Sequence, residues 1–360
     1  MTPTRSALRA HLARAEADPA GLSDDAYADL LAADGEELDA LTALADGVRR
    51  DAVGDQLTFV ANRNLDTAVV SDPDHAKALV DEAWALGATE ICVQGPVPTD
   101  VADRAPLELV ALIARRVPMH LHAFRPAEVA DAAARLRMSP REFLAAAREV
   151  GLGSVPGTAA RILDDDIRAL LTGGTDIPAA AWTALVSTAH EVGLRSTATM
   201  VYGHVETPAE QVAHLRALAA IQDRTGGFTE FIAMPILPEA LPSDGAGRPV
   251  RPGPDARETR AVHAVARLLL HGRIAHLQAA WPKLGPALTT AVLRGGADDA
   301  GGLLLDGVLD PAAGAEAGRR LTLAEVEALA TELGRTPRQR TTVYGDAPPQ
   351  RQAVLRGPAN

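Results

Sequence analysis

Short apolar runs alternate with longer stretches of helical periodicity from residue 56 onward. The apolar runs predict eight strands: Leu57–Asn62, Glu90–Gln94, Met119–Ala123, Gly153–Val155, Ser196–Tyr202, Glu230–Pro235, Ile274–Ala279 and Gly302–Leu305. The helical patterns between them cover residues 73–87, 104–116, 126–149 with a break expected at Ser139-Pro140, 178–193, 207–225, 254–272 and 284–295. Such alternation predicts a parallel sheet. Eight βα units over roughly 250 residues match a closed barrel, so we predict an α/β fold, a (βα)8 TIM-type barrel.

A doubly wound open sheet is the alternative fold. It would need a glycine-rich phosphate loop after the first strand, and Asn62-Arg63-Asn64 is not one. Before the barrel, residues 1–50 predict helices near 4–17, 23–33 and 35–49, an N-terminal helical extension. We assign residues 51–345 to the barrel, including a last helix at 322–334, and residues 346–360 to a flexible tail.

The segment from Pro235 to Pro254 is rich in proline, glycine and aspartate and has few apolar residues. It follows the sixth predicted strand. Long loops without regular structure are commonly lids or binding loops. We therefore expect this segment to lie over the barrel mouth.

Charge and cysteine content narrow the functional classes. The net charge of -12 disfavours nucleic acid and an anionic membrane surface as partners. No apolar run of about 18 residues occurs, and we predict a cytoplasmic protein that acts on a small-molecule substrate. The one cysteine, Cys92, lies within the second predicted strand and is interpreted as an inert core thiol. A single thiol cannot form an intrachain disulfide or a metal site of three or four cysteines.

Polar residues cluster where the predicted strands end. In a barrel of this type the side chains at the carboxyl ends of the strands point into the mouth. They are Asn62, Arg63, Asn64, Gln94, His120, His122, Ser154, Thr158, Tyr202, His204, Gln278, Trp281 and Asp306. A purely structural barrel would not need so polar a set, so the mouth is the candidate site.

The His120–His122 pair, His204 and Lys283 each allow more than one interpretation. His120 and His122 share one strand face and could bind zinc together with His204 or Asp306. The favoured interpretation is that one of the two histidines caps the barrel rim while the other contacts a ligand. His204 is equally suited to acid–base chemistry and to a hydrogen bond with a ligand or a loop. Lys283 could bind an anion or form a Schiff base, or lie in solvent. The run Asp164-Asp165-Asp166 is typical of a helix N-terminus rather than a metal site.

Several stretches together resemble the tyrosine-acceptor half of FO synthase and the futalosine-pathway enzymes of menaquinone biosynthesis. They are Val60–Asn64, Gly87–Gly95, His120–Phe124, Gly151–Ala160, Ala198–His204, Gln222–Phe231, Leu293–Ala297 and Arg338–Thr342. These families are radical S-adenosylmethionine (SAM) enzymes on a full (βα)8 barrel. The resemblance implies SAM binding, with a four-iron cluster that cleaves SAM.

The chain departs from the family in three places. After Asn-Arg-Asn the family has a loop of the form Cys-x3-Cys-x2-Cys, whereas here Asn64 is followed by residues 65–71 without cysteine. Arg161 stands where the family has an acidic residue near SAM. The family's Pro-Leu-Pro-Phe-type segment reads Met234-Pro235-Ile236-Leu237 here. From the missing loop we predict that no iron–sulfur cluster forms. We hypothesise that Arg161, with Arg63, binds the carboxylate of SAM instead.

Three functions therefore compete. The first is a cluster-free enzyme that uses SAM as cosubstrate in polar chemistry, such as methyl or alkyl transfer, cyclisation or elimination. The second is a SAM-independent lyase or isomerase that is either cofactor-free or metal-dependent, and the third is a non-catalytic partner of another enzyme. The first function is the favoured hypothesis, and its predicted catalytic residues are Tyr202, His204 and His122. The cofactor-binding residues are Asn62, Arg63, Gln94, His120, Ser154, Arg161 and Thr199, with no metal ligand. The substrate-binding residues are Asn64, Gln278, Trp281, Lys283 and Asp306.

Overall fold

The structure, a computed structural model, describes residues 3–309 and 319–357. The strands are β1 (Gln56–Val60), β2 (Asn62–Asp66), β3 (Glu90–Gln94), β4 (His120–Ala123), β5 (Ser154–Val155), β6 (Arg195–Tyr202), β7 (Phe228–Pro235), β8 (His276–Ala279), β9 (Asp299–Gly302) and β10 (Thr336–Gln339). The helices are α1 (Arg5–Ala17), α2 (Asp24–Leu31), α3 (Gly35–Val53), α4 (Pro73–Ala85), α5 (Ala105–Arg116), α6 (Pro126–Arg135), α7 (Pro140–Glu149), α8 (Asp165–Thr172), α9 (Ala179–Glu191), α10 (Pro208–Thr225), α11 (Ala256–Leu269), α12 (Trp281–Arg294), α13 (Leu323–Leu333) and α14 (Pro349–Arg356). None of the helices in the described ranges is long and apolar enough to cross a membrane.

The strands form a parallel barrel that closes at Ala61. β1 pairs with β9 and β10, whereas β2 pairs with β3. The Ala61 carbonyl between them accepts the Thr89 N–H at 2.7 Å, and the Val60 carbonyl accepts the Leu303 N–H at 3.0 Å. The ring of strands is therefore continuous across this residue, and the predicted TIM-type barrel is confirmed. The first strand is longer than predicted, because its second half reaches Asp66.

The N-terminal extension packs on the outside of the barrel. Helix α3 lies against α11, and α2 lies against α10. The buried residues of α3, Leu38, Leu41, Ala45 and Val48, recur at the spacing of one helix face. The core lies between the outward faces of the strands and the surrounding helices, where apolar side chains of both layers are buried.

Local capping explains several helix boundaries. The predicted break at Ser139-Pro140 is confirmed, because the Ser139 side chain caps α7 and pairs with Glu142 in a capping box. Asp164 accepts the Ile167 N–H and caps α8. The interpretation of the Asp164-Asp165-Asp166 run as a helix N-terminus is therefore confirmed.

The C-terminal region differs from the prediction. The tail assigned as flexible from residue 346 contains α14, whose Arg351 guanidinium lies 3.5 Å from the Trp84 ring centroid. Strand β10 was not predicted, and β9 begins three residues before the predicted Gly302–Leu305. These segments are rich in arginine and glycine, and they are held by partners distant in the chain, so apolar periodicity gives no signal for them.

Candidate active site

A cavity of about 180 Å³ runs along the barrel axis. It reaches from the first residues of the strands to their carboxyl ends. Its lining comprises Val60, Asn62, Asn64, Glu90, Cys92, Gln94, His122, Thr158, Thr197, Glu230, Ile232, Met234, Gln278, Ala280, Trp281, Pro282, Lys283, Gly302, Leu304, Arg340 and Thr342. We call the end near Glu90, Glu230, Arg340 and Thr342 the closed end, and the opposite end the mouth.

Strand alternation separates the lining from the core. In β3, Cys92 and Gln94 line the cavity, while Ile91 and Val93 lie in the core. Successive side chains of a strand point to opposite faces, and the inward positions of this barrel are mainly polar. Cys92 was interpreted as an inert core thiol, but the structure places it on the inward face of the strand.

Amide side chains form one wall of the cavity. Asn62 Nδ2 donates to Asn64 Oδ1 at 3.1 Å, and Asn62 Oδ1 accepts the Leu304 N–H at 3.0 Å. Gln94 Oε1 accepts a hydrogen bond from Thr158 Oγ1 at 3.1 Å, and its Nε2 donates to Cys92 Sγ at 2.9 Å. The structure thus brings together the predicted residues Asn62, Asn64 and Gln94.

The predicted substrate-binding residues of β8 and α12 complete the wall. Gln278, Trp281 and Lys283 all line the cavity. Trp281 Nε1 donates to the Gly302 carbonyl at 3.0 Å, which fixes the indole at the cavity edge. Asp306 is half-buried but is not among the lining residues, and burial raises the pKa of its carboxyl group.

The two histidines of β4 share one hydroxyl group. Ser154 Oγ lies 2.6 Å from His120 Nε2 and 2.6 Å from His122 Nδ1. Burial lowers the pKa of His120 to about 4 and that of His122 to about 3, so both imidazoles are neutral at pH 7. His122 lines the cavity and His120 does not. Among the described residues, no group of three or more histidine, cysteine, aspartate or glutamate side chains is placed to hold a metal ion.

The closed end contains charged residues that strand-end reasoning missed. Arg340 is 2% exposed and donates to Asp299 Oδ2 at 2.5 Å and to Glu230 Oε2 at 3.0 Å. Tyr344 donates its hydroxyl to the same Glu230 oxygen. Burial raises the pKa of Glu230 to about 7, despite the nearby Arg340. The run Arg338–Thr342 was visible among the family-like stretches, but a rule about strand ends directs attention only to the mouth.

Two predicted arginines lie outside the cavity. Arg63 alternates with the inward-facing Asn62 and Asn64, and its Nη1 donates to Glu82 Oε2 on α4 at 2.8 Å. Arg161 Nε donates to Asp176 Oδ2 at 3.1 Å. The structure therefore does not bring the hypothesised carboxylate anchor to the cavity.

Three further predicted residues, Tyr202, His204 and Thr199, are fully buried and absent from the cavity lining. Tyr202 donates its hydroxyl to Thr259 Oγ1 at 3.3 Å, and burial raises its pKa. The Thr199 hydroxyl donates to the Gly157 carbonyl at 3.0 Å.

His204 belongs to a polar cluster at the end of β6, which we call the β6-end cluster and define as His204, Glu206, Gln211, Arg251 and Glu258. His204 Nε2 lies 3.0 Å from the Val201 carbonyl oxygen, and Nδ1 lies 2.8 Å from the Val205 nitrogen. Glu206 accepts from Gln211 at 2.8 Å and from Arg251 at 2.6 Å. Burial opposes ionisation of Glu206, but bonds and charges from His204 and Arg251 lower its pKa to about 2.

The predicted lid packs against this cluster. Arg251, in the loop after β7, also donates to Glu258 at 2.7 Å, and Arg248 donates to Glu210 at 2.7 Å. No residue of the loop between Pro235 and Pro254 lines the cavity. The loop thus covers the ends of β6, α10 and α11 rather than the cavity.

Comparison with known proteins finds FO synthases and a 4-hydroxyphenyl transferase among the relatives of this chain. It is 48% identical over 357 residues to the FO synthase of Mycobacterium leprae, covering 93% of this chain and 41% of that protein. It is 36% identical over 323 residues to the 5-amino-6-(D-ribitylamino)uracil–L-tyrosine 4-hydroxyphenyl transferase of Archaeoglobus fulgidus, covering 84% of this chain and 92% of that protein. The chain thus spans about two-fifths of the length of the FO synthases it matches. No family model matches the chain.

The fold is shared with more distant solved structures. A maturase of the FeFe-hydrogenase superposes with a TM-score of 0.67 at 14% identity, covering 93% of this chain and 77% of that one. At this identity the similarity shows the fold, and it agrees with the barrel described above.

The comparisons correct the predicted chemistry. We predicted that the chain uses SAM in polar, cluster-free chemistry, as a methyl or alkyl transferase, cyclase or lyase. This prediction is wrong, because the relatives are FO synthases and a 4-hydroxyphenyl transferase. For that family the resemblance implies radical chemistry with SAM and an iron–sulfur cluster. The predicted absence of a cluster conflicts with the same relatives.

The donor set of this chain can still be compared with what a cluster requires. Four-iron clusters are held by several cysteine thiolates, and this chain has one cysteine. Cys92 lies within β3, where its sulfur accepts a hydrogen bond from Gln94. The residues of this chain do not by themselves fit such a cluster.

Proposed function

Because this chain belongs to the family of the FO synthases and the ribitylaminouracil–tyrosine 4-hydroxyphenyl transferase, we propose that it is an enzyme of 4-hydroxyphenyl transfer. The proposed substrates are those that the name of the shorter relative states, 5-amino-6-(D-ribitylamino)uracil and L-tyrosine. The observation that carries the proposal is the amide-rich cavity on the barrel axis.

The amide wall suits a uracil-type ring. Each asparagine or glutamine amide offers a donor and an acceptor side by side, as does the edge of a uracil ring with its adjacent N–H and C=O groups. Asn64, Gln94 and Gln278 reach the cavity from three strands. Buried amides left without partners cost free energy, so a ligand that satisfies them is favoured over one that is only apolar.

The apolar part of the lining suits a flat ring system. Ile232, Met234, Trp281 and Pro282 line the cavity beside the amides. An indole held by its N–H bond to Gly302 is pre-positioned to pack on an aromatic ligand. A cavity of about 180 Å³ is below the roughly 300–1,000 Å³ of drug-sized ligand sites. We therefore place the ribitylaminouracil inside the cavity and tyrosine at the mouth.

Isothermal titration of the purified chain with 5-amino-6-(D-ribitylamino)uracil, then with L-tyrosine, tests the proposal. We expect saturable binding of the ribitylaminouracil and about fivefold weaker binding to Gln278→Ala, because a lost amide hydrogen bond contributes about 1 kcal/mol. Gln352→Ala is the matched control, since Gln352 lies on α14 and donates to the Ala347 carbonyl outside the cavity. Absence of binding by the unmodified chain would overturn the proposal.

A further inference from the structure

The closed end of the cavity contains two buried glutamates that are only half engaged. Glu90 is 5% exposed and Glu230 is 4% exposed. Thr342 donates to Oε2 of Glu90 at 2.6 Å, and Arg340 and Tyr344 both donate to Oε2 of Glu230. Within the described ranges, the Oε1 atom of each carboxylate has no hydrogen-bond donor. Both side chains line the cavity, so a ligand there can donate to these oxygens.

The charge balance at the closed end excludes an anionic group. Arg340 is already bonded to Asp299 through Nε and Nη2. The His122 imidazole is neutral, because burial lowers its pKa to about 3. The His276 ring stacks on the Tyr344 ring with the two centroids 3.6 Å apart, and His276 Nδ1 lies 2.7 Å from Asp298 Oδ2. Lys283, the other cation among the described lining residues, follows the carboxyl end of β8 and therefore lies toward the mouth. At the closed end Arg340 alone balances the two glutamates and Asp299, and a carboxylate or phosphate would be repelled.

Hydroxyl groups match this end better than the edge of a ring. A hydroxyl donates one hydrogen bond and accepts others, and bonds from O–H to a carboxylate are short and strong. Glu90 and Glu230 supply acceptors, Thr342 Oγ1 can accept a further hydrogen bond, and the His122 imidazole can donate or accept. Glu230 can also donate when protonated, since burial brings its pKa to about 7. A flexible chain of hydroxyls can reach all of these groups in a narrow space.

We propose that the closed end of the cavity is the subsite for the polyhydroxy chain of the substrate, with Glu90 and Glu230 accepting hydrogen bonds from its hydroxyl groups. This inference rests on the proposed function, because the ribityl chain belongs to the substrate named there. The ring then lies toward the amide wall and the mouth. Glu90 and Glu230 determine which substrate is accepted by recognising the chain rather than the ring.

The test compares two ligands that differ only in the chain. The full-length protein and its Glu90→Gln and Glu230→Gln variants are titrated at pH 8 with 5-amino-6-(D-ribitylamino)uracil and with 5,6-diaminouracil, which lacks the ribityl group. We expect the unmodified protein to bind the ribityl compound at least tenfold more tightly. Glu90→Gln should remove most of that advantage while leaving the affinity for 5,6-diaminouracil unchanged. Glu327→Gln, on the surface helix α13, is the matched control.

Each outcome decides between the two proposals. Equal affinity of the unmodified protein for both ligands would overturn the subsite while the proposed function stands. If Glu90→Gln loses affinity equally for both ligands, this carboxylate contacts the ring or only supports the fold, and the subsite proposal is again overturned. If the variant instead loses L-tyrosine, the closed end binds an ammonium group and the inference is wrong. No binding of either uracil by the unmodified protein would overturn both proposals.

Melting temperatures keep a folding defect apart from a binding defect. Glutamine is close to glutamate in size and can still accept from Thr342 or Arg340. We expect each variant to melt as a single cooperative transition. Should Glu230→Gln fail to fold because Arg340 loses an ionic partner, Glu90→Gln still decides the question, since Glu90 forms no ion pair among the described residues.

Discussion

The cavity wall and the β6-end cluster are both polar and both buried, yet they differ in how their hydrogen bonds are completed. In the cavity wall, Asn64 and Gln278 face an open volume. In the β6-end cluster, Glu206 is bonded to Arg251 and Gln211 inside the protein. A polar strand end is therefore a candidate site only when its bonding capacity is left for a ligand. When neighbours complete it, the same residue types support the fold.

The largest expected effect is acid destabilisation by buried histidines, of which His122 lines the cavity. Burial lowers the pKa of His122 to about 3 and of His214 to about 4, from an unperturbed 6.5; His120, His190 and His263 are lowered to about 4 as well. The unfolded chain then binds more protons than the folded one below pH 6.5. The free energy of unfolding should fall as the pH falls from 6.5 toward 4. Each histidine contributes up to about 1.4 kcal/mol for every unit by which folding lowers its pKa. Urea unfolding at pH 7.5 and pH 5 measures it.

Histidine variants compare the open cavity with the closed interior of the protein. Replacing His122, at the cavity, or His214, which bonds the Thr199 carbonyl at 2.9 Å, with glutamine should each flatten the pH dependence. A flattening by His214→Gln alone would show that water in the cavity lets His122 titrate normally. Glu230 acts in the opposite sense, since its raised pKa gives stability below pH 4.5 that is lost as the pH rises through about 7.

The next largest effect is the loss of a buried ionic partner in the β6-end cluster. Glu206→Ala leaves Arg251 with one fewer carboxylate and removes the acceptor of the Gly203 and His204 backbone N–H groups. Breaking a buried pair costs about 3–5 kcal/mol, so the urea midpoint at pH 7.5 should fall sharply. The folded fraction should bind the ribitylaminouracil as before.

Glu239→Ala is the control for Glu206→Ala, because Glu239 is exposed in the loop after β7. A loss of ligand affinity in Glu206→Ala without a loss of stability would contradict the division into a closed cluster and an open cavity. It would return the end of β6 to the active site.

In the cavity wall, a substitution is expected to weaken ligand binding without lowering the stability of the fold. Asn64→Ala removes an amide from the cavity wall, and the Asn62 Nδ2 donor bonded to it is left facing the cavity. We expect about tenfold weaker binding of the ribitylaminouracil, equivalent to about 1.4 kcal/mol, and a melting temperature within a few degrees of the unmodified protein. A fall in melting temperature with unchanged affinity would place Asn64 with the structural residues.

The barrel was predictable because its signals are local. Apolar runs such as Ile91–Val93 and capped helices such as α7 appear in consecutive residues, and their predicted boundaries fall close to the observed ones. Strand β10 depends on pairing between Thr336 and Gln56, and no local pattern reports a contact across so much of the chain. The closed end was missed for the same reason, since Arg340 reaches it from that C-terminal segment.

The alternation of inward and outward side chains along each strand explains which site residues were predicted correctly and which were not. Asn62 and Asn64 share the inward face of β2, and the intervening Arg63 points outward to Glu82. In β6, Ala198, Met200 and Tyr202 alternate on the outward face and lie in the core. Choosing polar residues at strand ends without counting this alternation therefore assigned Arg63 and Tyr202 to the mouth. The apolar neighbours of Tyr202 were the signal that could have corrected it.

The smallest effect is expected from Arg161, which the resemblance to the family placed near SAM and the structure places outside the cavity. Arg161→Ala breaks a partly exposed pair with Asp176, although Arg168 remains 3.2 Å from the same carboxylate. Such pairs contribute about 0–1 kcal/mol. Stability should change by no more than this, and the affinity for SAM and for the ribitylaminouracil should be unchanged in titrations. Because Arg161 also has a positive φ of 50°, Arg161→Gly serves as a second variant that relieves the backbone. A tenfold loss of SAM affinity in both variants would mean that the carboxylate of SAM does reach Arg161, and that the site extends beyond the cavity toward α8.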